Sequence, residues 1–550
     1  MRPFILFLLG SITLLACSPD NTTYDANDGL NSFSTQSLEG YIKTLSSDEF
    51  MGRKPFTKGD TSTVNYLQSE LAKLGLEPAN GSSYLQEVPM VAITSKADSV
   101  MTIKGSKSTF QLKGFDDYNI YSQKSEGVVL EDDELVFAGY GIVAPEYNWN
   151  DFEGVDVKGK IVLVLVNDPG FGTGDSTFFK GNTMTYYGRW TYKFEEAARQ
   201  GAKGVMVIHD DVPASYPFAV VQNDWNSSKL YLDKRGSENT ACSVEGWIAL
   251  PALKKLFEAA GFNYAEKLSA AHKQGFRAEP LHLTASTKIE TTSVYSKSNN
   301  VIGKITGSER PDEYIIYSAH WDHLGIGKPD ATGDSIYNGA MDNGSGTAGL
   351  LEIAKAFKNL NTKPERSVVF LFVTAEEQGL LGSSYYANNP VIPKEKTVAN
   401  INIDGINCNG KVKDISLVGI GQSDLEDYLR QECKKVNRYA TNDPSPSAGY
   451  YFRSDHFNFA KIGIPALYTH SGIDNVEKGK EYGKQLDSEY RDKYYHKPAD
   501  EYDPNRWDLD GAIDDLKLLF LVGKRISMET TWPQWKQGSE FKAIRESYMK

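Results

Sequence analysis

Apolar residues recur every three or four positions in two stretches within residues 36–80. One face carries Leu38, Ile42 and Leu45, and the next carries Val64, Leu67, Leu71 and Leu74. This spacing predicts two amphipathic helices, because residues three and four apart share one helical face. We expect both helices to pack against a core and to contribute no catalytic groups.

The pattern changes in residues 128–290, where short apolar runs alternate with a helical segment. Strands are predicted at Glu134–Phe137, Ile161–Val166 and Gly204–Ile208, and a helix at about 194–201. His209 follows the last of these strands. A lone histidine at the end of a strand is more often structural than a metal ligand, and we interpret His209 in that way.

From about residue 298 the chain repeats strand, loop and helix. The apolar runs predict strands at Tyr314–Ala319, Val368–Val373, 401–403 and Pro465–Tyr468, and a helix at Ala348–Phe357. Continuous apolar runs are typical of strands buried inside a parallel sheet. Strands alternating with helices predict an α/β sandwich around a mainly parallel sheet, whose functional sites form beyond the carboxyl ends of the strands.

Length and charge limit the classes of function. A chain of 550 residues is expected to form roughly two to four structural units. The formal net charge is −13, and the lysines and arginines are scattered among more numerous acids. Such a chain would repel polyphosphate, so nucleic acid is excluded as a partner.

The first residues have the pattern of a targeting signal. Arg2 precedes an apolar run, 4–15, that is too short for a permanent membrane span, and Leu14-Leu15-Ala16-Cys17 follows it. This resembles a bacterial lipobox, which predicts an exported protein of the cell envelope anchored by lipid on Cys17. The alternative is a plain cleavable signal. The polar residues 18–35 are predicted to be a flexible tether.

The remaining cysteines do not have the spacing of a thiolate metal site. They are Cys242, Cys408 and Cys433, and no CxxC pair occurs. An odd number excludes a disulfide scaffold but leaves a single bridge such as Cys408–Cys433 open. Any metal would therefore be held by histidines and carboxylates.

Candidate ligands follow the predicted strands of the carboxyl-terminal half. His320 directly follows one strand, and Asp322 stands where a carboxylate could orient a metal-bound imidazole. The adjacent Glu376 and Glu377 follow another strand, where two buried acids should repel each other unless a cation is near.

Three further residues extend this set. Asp342 lies in the glycine-rich turn 338–348, which lacks the lysine of a phosphate-binding loop and suits a metal-bridging carboxylate better. Asp404 ends another apolar strand, and His496 lies in 495–500 near the end of the chain.

Taken together, these segments resemble the di-zinc aminopeptidase and glutamate carboxypeptidase family. Residues 137–142, 157–162 and 197–205 also resemble the protease-associated domain that is commonly inserted in such enzymes. The resemblance implies a three-layer α/β sandwich with an inserted β-rich domain. The expected segments are a signal peptide at 1–17, the tether at 18–35, the first part of the peptidase at 36–127, the inserted domain at 128–290 and the catalytic domain at 291–550.

The resemblance also implies roles for the site residues. His320, Asp342 and Asp404 would hold one zinc ion, and Asp342, Glu377 and His496 would hold a second. Glu376 would be the general base, and Tyr451, or alternatively Tyr450, would donate a hydrogen bond to the oxyanion. His323 and His470 are expected near the pocket without binding metal, and His272 and His282 are expected to have no role.

The resulting hypothesis is an aminopeptidase acting on peptides, with the oligomeric state open. A dipeptidase or carboxypeptidase of the same family is the principal alternative. A cyclase-like relative with a single zinc is disfavoured because both ligand sets are complete. A receptor-like relative without catalysis is disfavoured because the general base is also present.

Overall fold

The computed structural model describes residues 27–236 and 241–549. Cys17 and residues 18–26 of the predicted tether lie outside this part of the chain. Within it, every helix is too short or too polar to cross a membrane.

Helices and strands alternate along most of the chain. The helices are α1 (Thr35–Leu45), α2 (Lys58–Lys73), α3 (Trp190–Arg199), α4 (Asp211–Ala214), α5 (Phe218–Gln222), α6 (Leu250–Ala260), α7 (Tyr264–Ala271), α8 (Gly346–Lys358), α9 (Leu381–Asn388), α10 (Leu425–Lys435), α11 (His456–Lys461), α12 (Gly479–Lys493), α13 (Asp510–Met528) and α14 (Lys542–Tyr548). The strands before residue 250 are β1 (Glu77–Pro78), β2 (Leu85–Ala97), β3 (Val100–Gly105), β4 (Thr109–Lys113), β5 (Tyr118–Tyr121), β6 (Val128–Phe137), β7 (Val143–Ala144), β8 (Trp149–Asn150), β9 (Ile161–Leu165), β10 (Gly204–His209), β11 (Ser228–Leu232) and β12 (Val244–Ala249). The later strands are β13 (Glu279–Ile305), β14 (Arg310–His320), β15 (Gly325–Ile326), β16 (Ile336–Tyr337), β17 (Arg366–Val373), β18 (Thr397–Asn402), β19 (Asp414–Leu417), β20 (Tyr439–Asn442) and β21 (Ala466–Ser471).

The carboxyl-terminal half is a three-layer α/β sandwich, as predicted. Strand β14 pairs in parallel with β17 and β18, and β18 pairs in parallel with β21. One face of these strands packs in an apolar cluster with α1, α8 and α13, and the other face packs with α9 and α11. The strands are buried on both faces because their sequences are almost continuously apolar.

A second unit has its own parallel sheet, formed by β6, β9, β10 and β12 in that order. Its apolar cluster includes residues that precede the predicted boundary at 128, namely Ala97, Met101, Ile103, Leu112, Tyr118 and Ile120. That boundary is therefore wrong, because β3, β4 and β5 bury their side chains in this unit. The unit begins near residue 97.

Strand β13 joins the two units. It is 27 residues long and pairs with β6 near its start and with β17 at its end. One continuous strand therefore contributes hydrogen bonds to both parallel sheets. This fixes the second unit relative to the first through the backbone rather than through a loop.

The prediction of a flexible tether over 18–35 is wrong for its described part. The carboxylate of Asp28 accepts hydrogen bonds from the backbone and side-chain amides of Asn361, and its carbonyl accepts one from Lys524. Phe33 packs edge-on against Phe520 with ring centroids 5.6 Å apart. Buried contacts therefore hold residues 28–33 against the core.

The Cys408–Cys433 bridge that the sequence left open does not form. Both cysteines are free and buried, as is Cys242. The Sγ atom of Cys408 lies 3.7 Å from Sδ of Met341.

Candidate active site

The parallel register brings the predicted ligands to one edge of the sheet. His320 ends β14 opposite Val373 of β17, and Ser318 lies opposite Asn402 of β18. The residues that follow these strands therefore emerge side by side. Glu376 and Glu377 follow β17, and Asp404 follows β18.

His320 lies between two of the predicted carboxylate ligands. Its Nε2 is 3.2 Å from Oδ1 of Asp404 and 3.3 Å from Oδ1 of Asp342. The same nitrogen is 4.0 Å from Oε2 of Glu376. His320 is 1% exposed, so these acids meet the imidazole away from bulk water.

His496 makes the equivalent contacts on the other side of Asp342. Its Nε2 is 3.2 Å from Oδ2 of Asp342 and 3.1 Å from Oε2 of Glu377. All five predicted ligands thus come together, although they are separated by up to 176 positions in the chain. Asp342 is the shared member, and each of its oxygens faces a different histidine.

His323 belongs to this cluster more closely than the sequence indicated. Its Nδ1 is 2.7 Å from Oε1 of Glu377, and its buried Nε2 has no hydrogen-bond partner among the described residues. Atoms of His323, Asp342 and Glu377 lie within 4.8 Å of one another, a spacing that can hold a metal ion. The equivalent group on the other side is His320, Glu376 and Asp404.

The electrostatics of the cluster fit a positively charged occupant. Burial would lower the pKa of His496, but hydrogen bonds to Asp342 and Glu377 raise it to about 10. Burial would raise the pKa of Glu377, and Asp342 raises it further, but contacts with His323 and His496 bring it down to about 2. Protonated imidazoles thus balance buried carboxylates, and metal ions would take the place of those protons.

Asp322 contacts both His320 and the loop of Glu376. Its carboxylate Oδ1 lies 3.7 Å and its backbone carbonyl 3.2 Å from Nδ1 of His320, and the same carboxylate accepts a 2.9 Å hydrogen bond from the backbone N–H of Glu376. Burial raises the pKa of Asp322 to about 8. Asp322 therefore links the loop of His320 to the residue predicted as general base.

Three residues that the sequence did not single out for a role support the ligand loops. Asp500 accepts hydrogen bonds from the backbone N–H groups of Met341 and Asp342. Asn343 donates to the carbonyl of Ile403 and accepts from the N–H of Gly405, on either side of Asp404. In the sequence, the only indication of this role was that Asp500 and Asn343 lie beside a predicted ligand or within its motif.

The third is Arg53, whose guanidinium is fully buried. It donates to the carbonyls of Leu45, Trp321, Asn338 and Gly339. Trp321 lies between His320 and Asp322, and Gly339 begins the turn that carries Asp342. Arg53 therefore ties two ligand loops together from the amino-terminal segment, and no local pattern could have indicated this.

The structure does not bring Tyr451 to the cluster, contrary to the prediction. Its ring packs against Phe452 and His456, and its buried hydroxyl has no hydrogen-bond partner within the described chain. Burial raises the pKa of Tyr451, and the acids that add to this are Glu540 and Glu426 rather than the ligands. Packing in the short 3-10 turn 450–452 directs this side chain inward.

The pKa values of three other tyrosines, Tyr468, Tyr490 and Tyr495, are raised in part by acids of the cluster. For Tyr468, burial raises the pKa most, and Asp404 and Glu376 raise it further. Its hydroxyl lies 2.8 Å from Nε2 of His470. Tyr450, the alternative to Tyr451, contacts His470 with ring centroids 5.7 Å apart. His470 thus contacts both Tyr468 and Tyr450, whereas His272 lies in the second unit against Tyr140.

Comparisons with known proteins fit this geometry. Residues 300–521 match the model of Peptidase family M28, and this range contains all of the cluster residues named above except Arg53. A glutamate carboxypeptidase 2 homolog from Caenorhabditis elegans is 24% identical over 446 residues, covering 70% of this chain and 53% of that protein. Aminopeptidase NAALADL1 from Rattus norvegicus is 28% identical over 316 residues, covering 49% and 38%.

The chain spans about half the length of the first of these relatives, and less of the second. Among solved structures, an aminopeptidase from Aneurinibacillus sp. strain AM-1 is 18% identical, with a TM-score of 0.48 and coverage of 91% of this chain and 95% of that one. The fold assignment therefore depends on the strand order and register described above. Residues 300–521 are related to the M28 peptidases.

Proposed function

We propose that the chain is an aminopeptidase of the M28 type that uses two zinc ions. The observation that carries this proposal is the position of Asp342, whose Oδ1 and Oδ2 lie 3.3 and 3.2 Å from Nε2 of His320 and His496. A carboxylate placed in this way can bridge two cations, as in two-metal hydrolases. His320 and Asp404 would complete one site, and Glu377 and His496 the other.

The donor set favours zinc over harder cations. Imidazoles together with carboxylates are usual zinc ligands, whereas calcium and magnesium take mainly oxygen. His323 would contact the Oε1 atom of Glu377, the oxygen that does not face His496, and so orient this ligand. Metal ligands are commonly oriented by such outer contacts. The buried Nε2 of His323 has no hydrogen-bond partner among the described residues, which is consistent with a site that is completed by metal.

Bound zinc would supply Lewis acidity toward a water molecule and toward the scissile carbonyl. Glu376 would accept a proton from the water at its carboxylate and transfer it to the leaving amine. Burial raises the pKa of Glu376, the charges of Asp404 and Glu377 raise it further, and His320 opposes them. Asp322 would hold Glu376 in place through the backbone N–H, and the Tyr468 hydroxyl would donate to the oxyanion in place of Tyr451.

Charge at the rim supports trimming from the amino terminus. Burial lowers the pKa of His470, the charges of Asp404, Asp443 and Asp487 act to raise it, and Arg491 lowers it further. Asp487 is paired with Arg491, and zinc would neutralise Asp404, so Asp443 is the acid that supports this assignment. Its negative charge would attract the α-ammonium group of a peptide.

The direct test uses purified protein and matched peptides. Hydrolysis of a peptide library should release amino-terminal residues, as followed by mass spectrometry, and a chelator should stop the release. The same peptides acetylated at the amino terminus are the control and should not be cleaved. Cleavage of acetylated peptides from the carboxyl end would contradict the amino-terminal assignment, and chelator-insensitive cleavage would contradict the metal mechanism.

A second candidate, carboxypeptidase or dipeptidase action, is favoured by two arginines between the units. Arg189 and Arg453 each have a buried Nε without a hydrogen-bond partner among the described residues. Burial and the charge of Arg453 together lower the pKa of Arg189 to about 9. Arg453 lies 5.2 Å from the ring of Tyr450, which contacts His470. Two unneutralised guanidinium groups beside the pocket could bind a substrate carboxylate.

We expect Arg189→Met to raise the KM for peptides with a free carboxyl terminus by about tenfold to a hundredfold, because a charged hydrogen bond is lost. The KM for the corresponding peptide amides should be unchanged. Arg199→Met is the matched control, since Arg199 lies in the same unit and its side chain is 51% exposed. An equal rise in KM for acids and amides would show that Arg189 does not bind the carboxylate.

We also propose that the chain is exported and held at a membrane by lipid on Cys17, and that the unit from about residue 97 to 289 is a protease-associated domain. The first proposal is supported by Arg2 and the apolar run before Cys17. The second is supported by the quoted motifs and by the absence of any predicted metal ligand from this unit.

A further inference from the structure

The second unit contains a cavity of about 470 Å³ that the catalytic hypothesis does not use. It lies at the carboxyl ends of β9 and β10, and its wall includes Leu165, Asn167 and Ile208. Crevices at the carboxyl ends of parallel strands are where open α/β sheets bind ligands. The volume is in the range of small-molecule sites.

The wall of the cavity has aromatic rings and one ionised side chain. Tyr140, Phe171, Tyr264 and His272 contribute rings, and Asp210 contributes the only Asp, Glu, Lys or Arg among its lining residues. Asp210 and Tyr264 line the same cavity, and the charge of Asp210 adds to the effect of burial in raising the pKa of that tyrosine. Aromatic faces beside a carboxylate suit an organic cation.

A buried basic side chain lies next to the cavity but is not free to bind a ligand. Lys193 donates to the carbonyl of Tyr140, which lines the cavity, and Asp151 and Asp168 act on it. Asp210 is therefore the acidic group of the wall, and it favours a positively charged ligand over an anion.

We propose that this cavity binds a small organic ammonium compound with an apolar or aromatic body. The ammonium group would pair with Asp210, and the body would lie against Tyr140, Tyr264 and Phe171. This site is separate from the zinc cluster, and the proposal does not depend on the peptidase assignment.

The backbone offers a path from this cavity to the catalytic half. Phe171 and Thr173 line the cavity, and the same segment continues to Met184, whose N–H donates to the carbonyl of Pro446. Pro446 precedes Tyr450, which contacts His470 beside the cluster. A ligand in the cavity would therefore touch the segment that lies against the pocket.

The test is isothermal titration calorimetry of the full chain with 2-phenylethylammonium. We expect saturable binding near one equivalent, and no binding of 3-phenylpropionate, which has a similar body and the opposite charge. Asp210→Asn should weaken binding at least about tenfold. Asparagine can still accept the hydrogen bond that Asp210 receives from the N–H of Val212, so the start of α4 is preserved.

Leu268→Trp provides an independent variant, since Leu268 lines the cavity and the larger ring would occupy part of the space proposed for the body of the ligand. Binding should be lost, while the melting temperature and peptide hydrolysis stay close to those of the unmodified chain. Binding that survives both variants would place the ligand elsewhere, including the catalytic pocket, and would overturn the proposal. So would equal affinity for the ammonium compound and the carboxylate, or the absence of saturable binding.

Discussion

Replacing Glu376 by Gln is expected to lower turnover of peptides by about two to four orders of magnitude while the protein keeps its zinc, because the general base is lost. Glutamine preserves the size of the side chain and its backbone hydrogen bond to Asp322. The side chain can no longer accept a proton from water. KM should change little, since Glu376 is not proposed to bind the substrate.

The measurement pairs steady-state kinetics with zinc content by mass spectrometry after dialysis. Glu377→Gln is the matched control, because Glu377 is the adjacent acid but contacts His496 at 3.1 Å and His323 at 2.7 Å. The control should lose zinc and activity together. A Glu376→Gln protein that loses zinc and activity in equal measure would contradict the separation of roles between these neighbours.

Asp342→Asn is expected to abolish activity by preventing both zinc ions from binding tightly. One oxygen of Asp342 faces each histidine, so the amide would leave at least one metal with a weak ligand. Losing the bridging carboxylate also removes negative charge that the two cations share. The expected zinc content after dialysis is below one per chain, compared with two for the unmodified protein.

Thermal unfolding gives a second measurement of the same variant. A ligand that binds only the folded state raises the melting temperature, so a chelator should lower that of the unmodified protein. The chelator should have little further effect on Asp342→Asn. The control is Asp116→Asn, an exposed acid in the second unit that should behave as the unmodified chain does. Two tightly bound zinc ions in Asp342→Asn would refute the bridging role.

The alternation of apolar runs was enough to predict the α/β class and most of the strands around the cluster. Strands such as β17 are buried along their whole length, so their composition is strongly constrained and visible without a structure. The five predicted ligands were identified in the same way, since each lies in a short motif just after an element or in a distinctive turn. The resemblance to a family then supplied their roles.

The residues that support those predicted ligands could not be identified from the sequence, because their contacts join segments that are distant in the chain. Arg53 donates hydrogen bonds to two loops that lie 268 and 286 positions further along the chain. Asp500 holds the turn of Asp342 from a separate loop. Such long-range hydrogen bonds leave no periodic pattern, because each requires only one polar residue at the correct place in the folded chain.

Local sequence determined the strands, the helices and the types of residue that could bind metal, because these follow from apolar spacing and side-chain chemistry. Tertiary packing alone decided that the ring of Tyr451 packs against Phe452 and His456 while the hydroxyl of Tyr468 lies 2.8 Å from Nε2 of His470, since both are tyrosines in apolar surroundings. It also moved the start of the second unit from 128 to about 97, because a strand belongs to the core in which its side chains are buried.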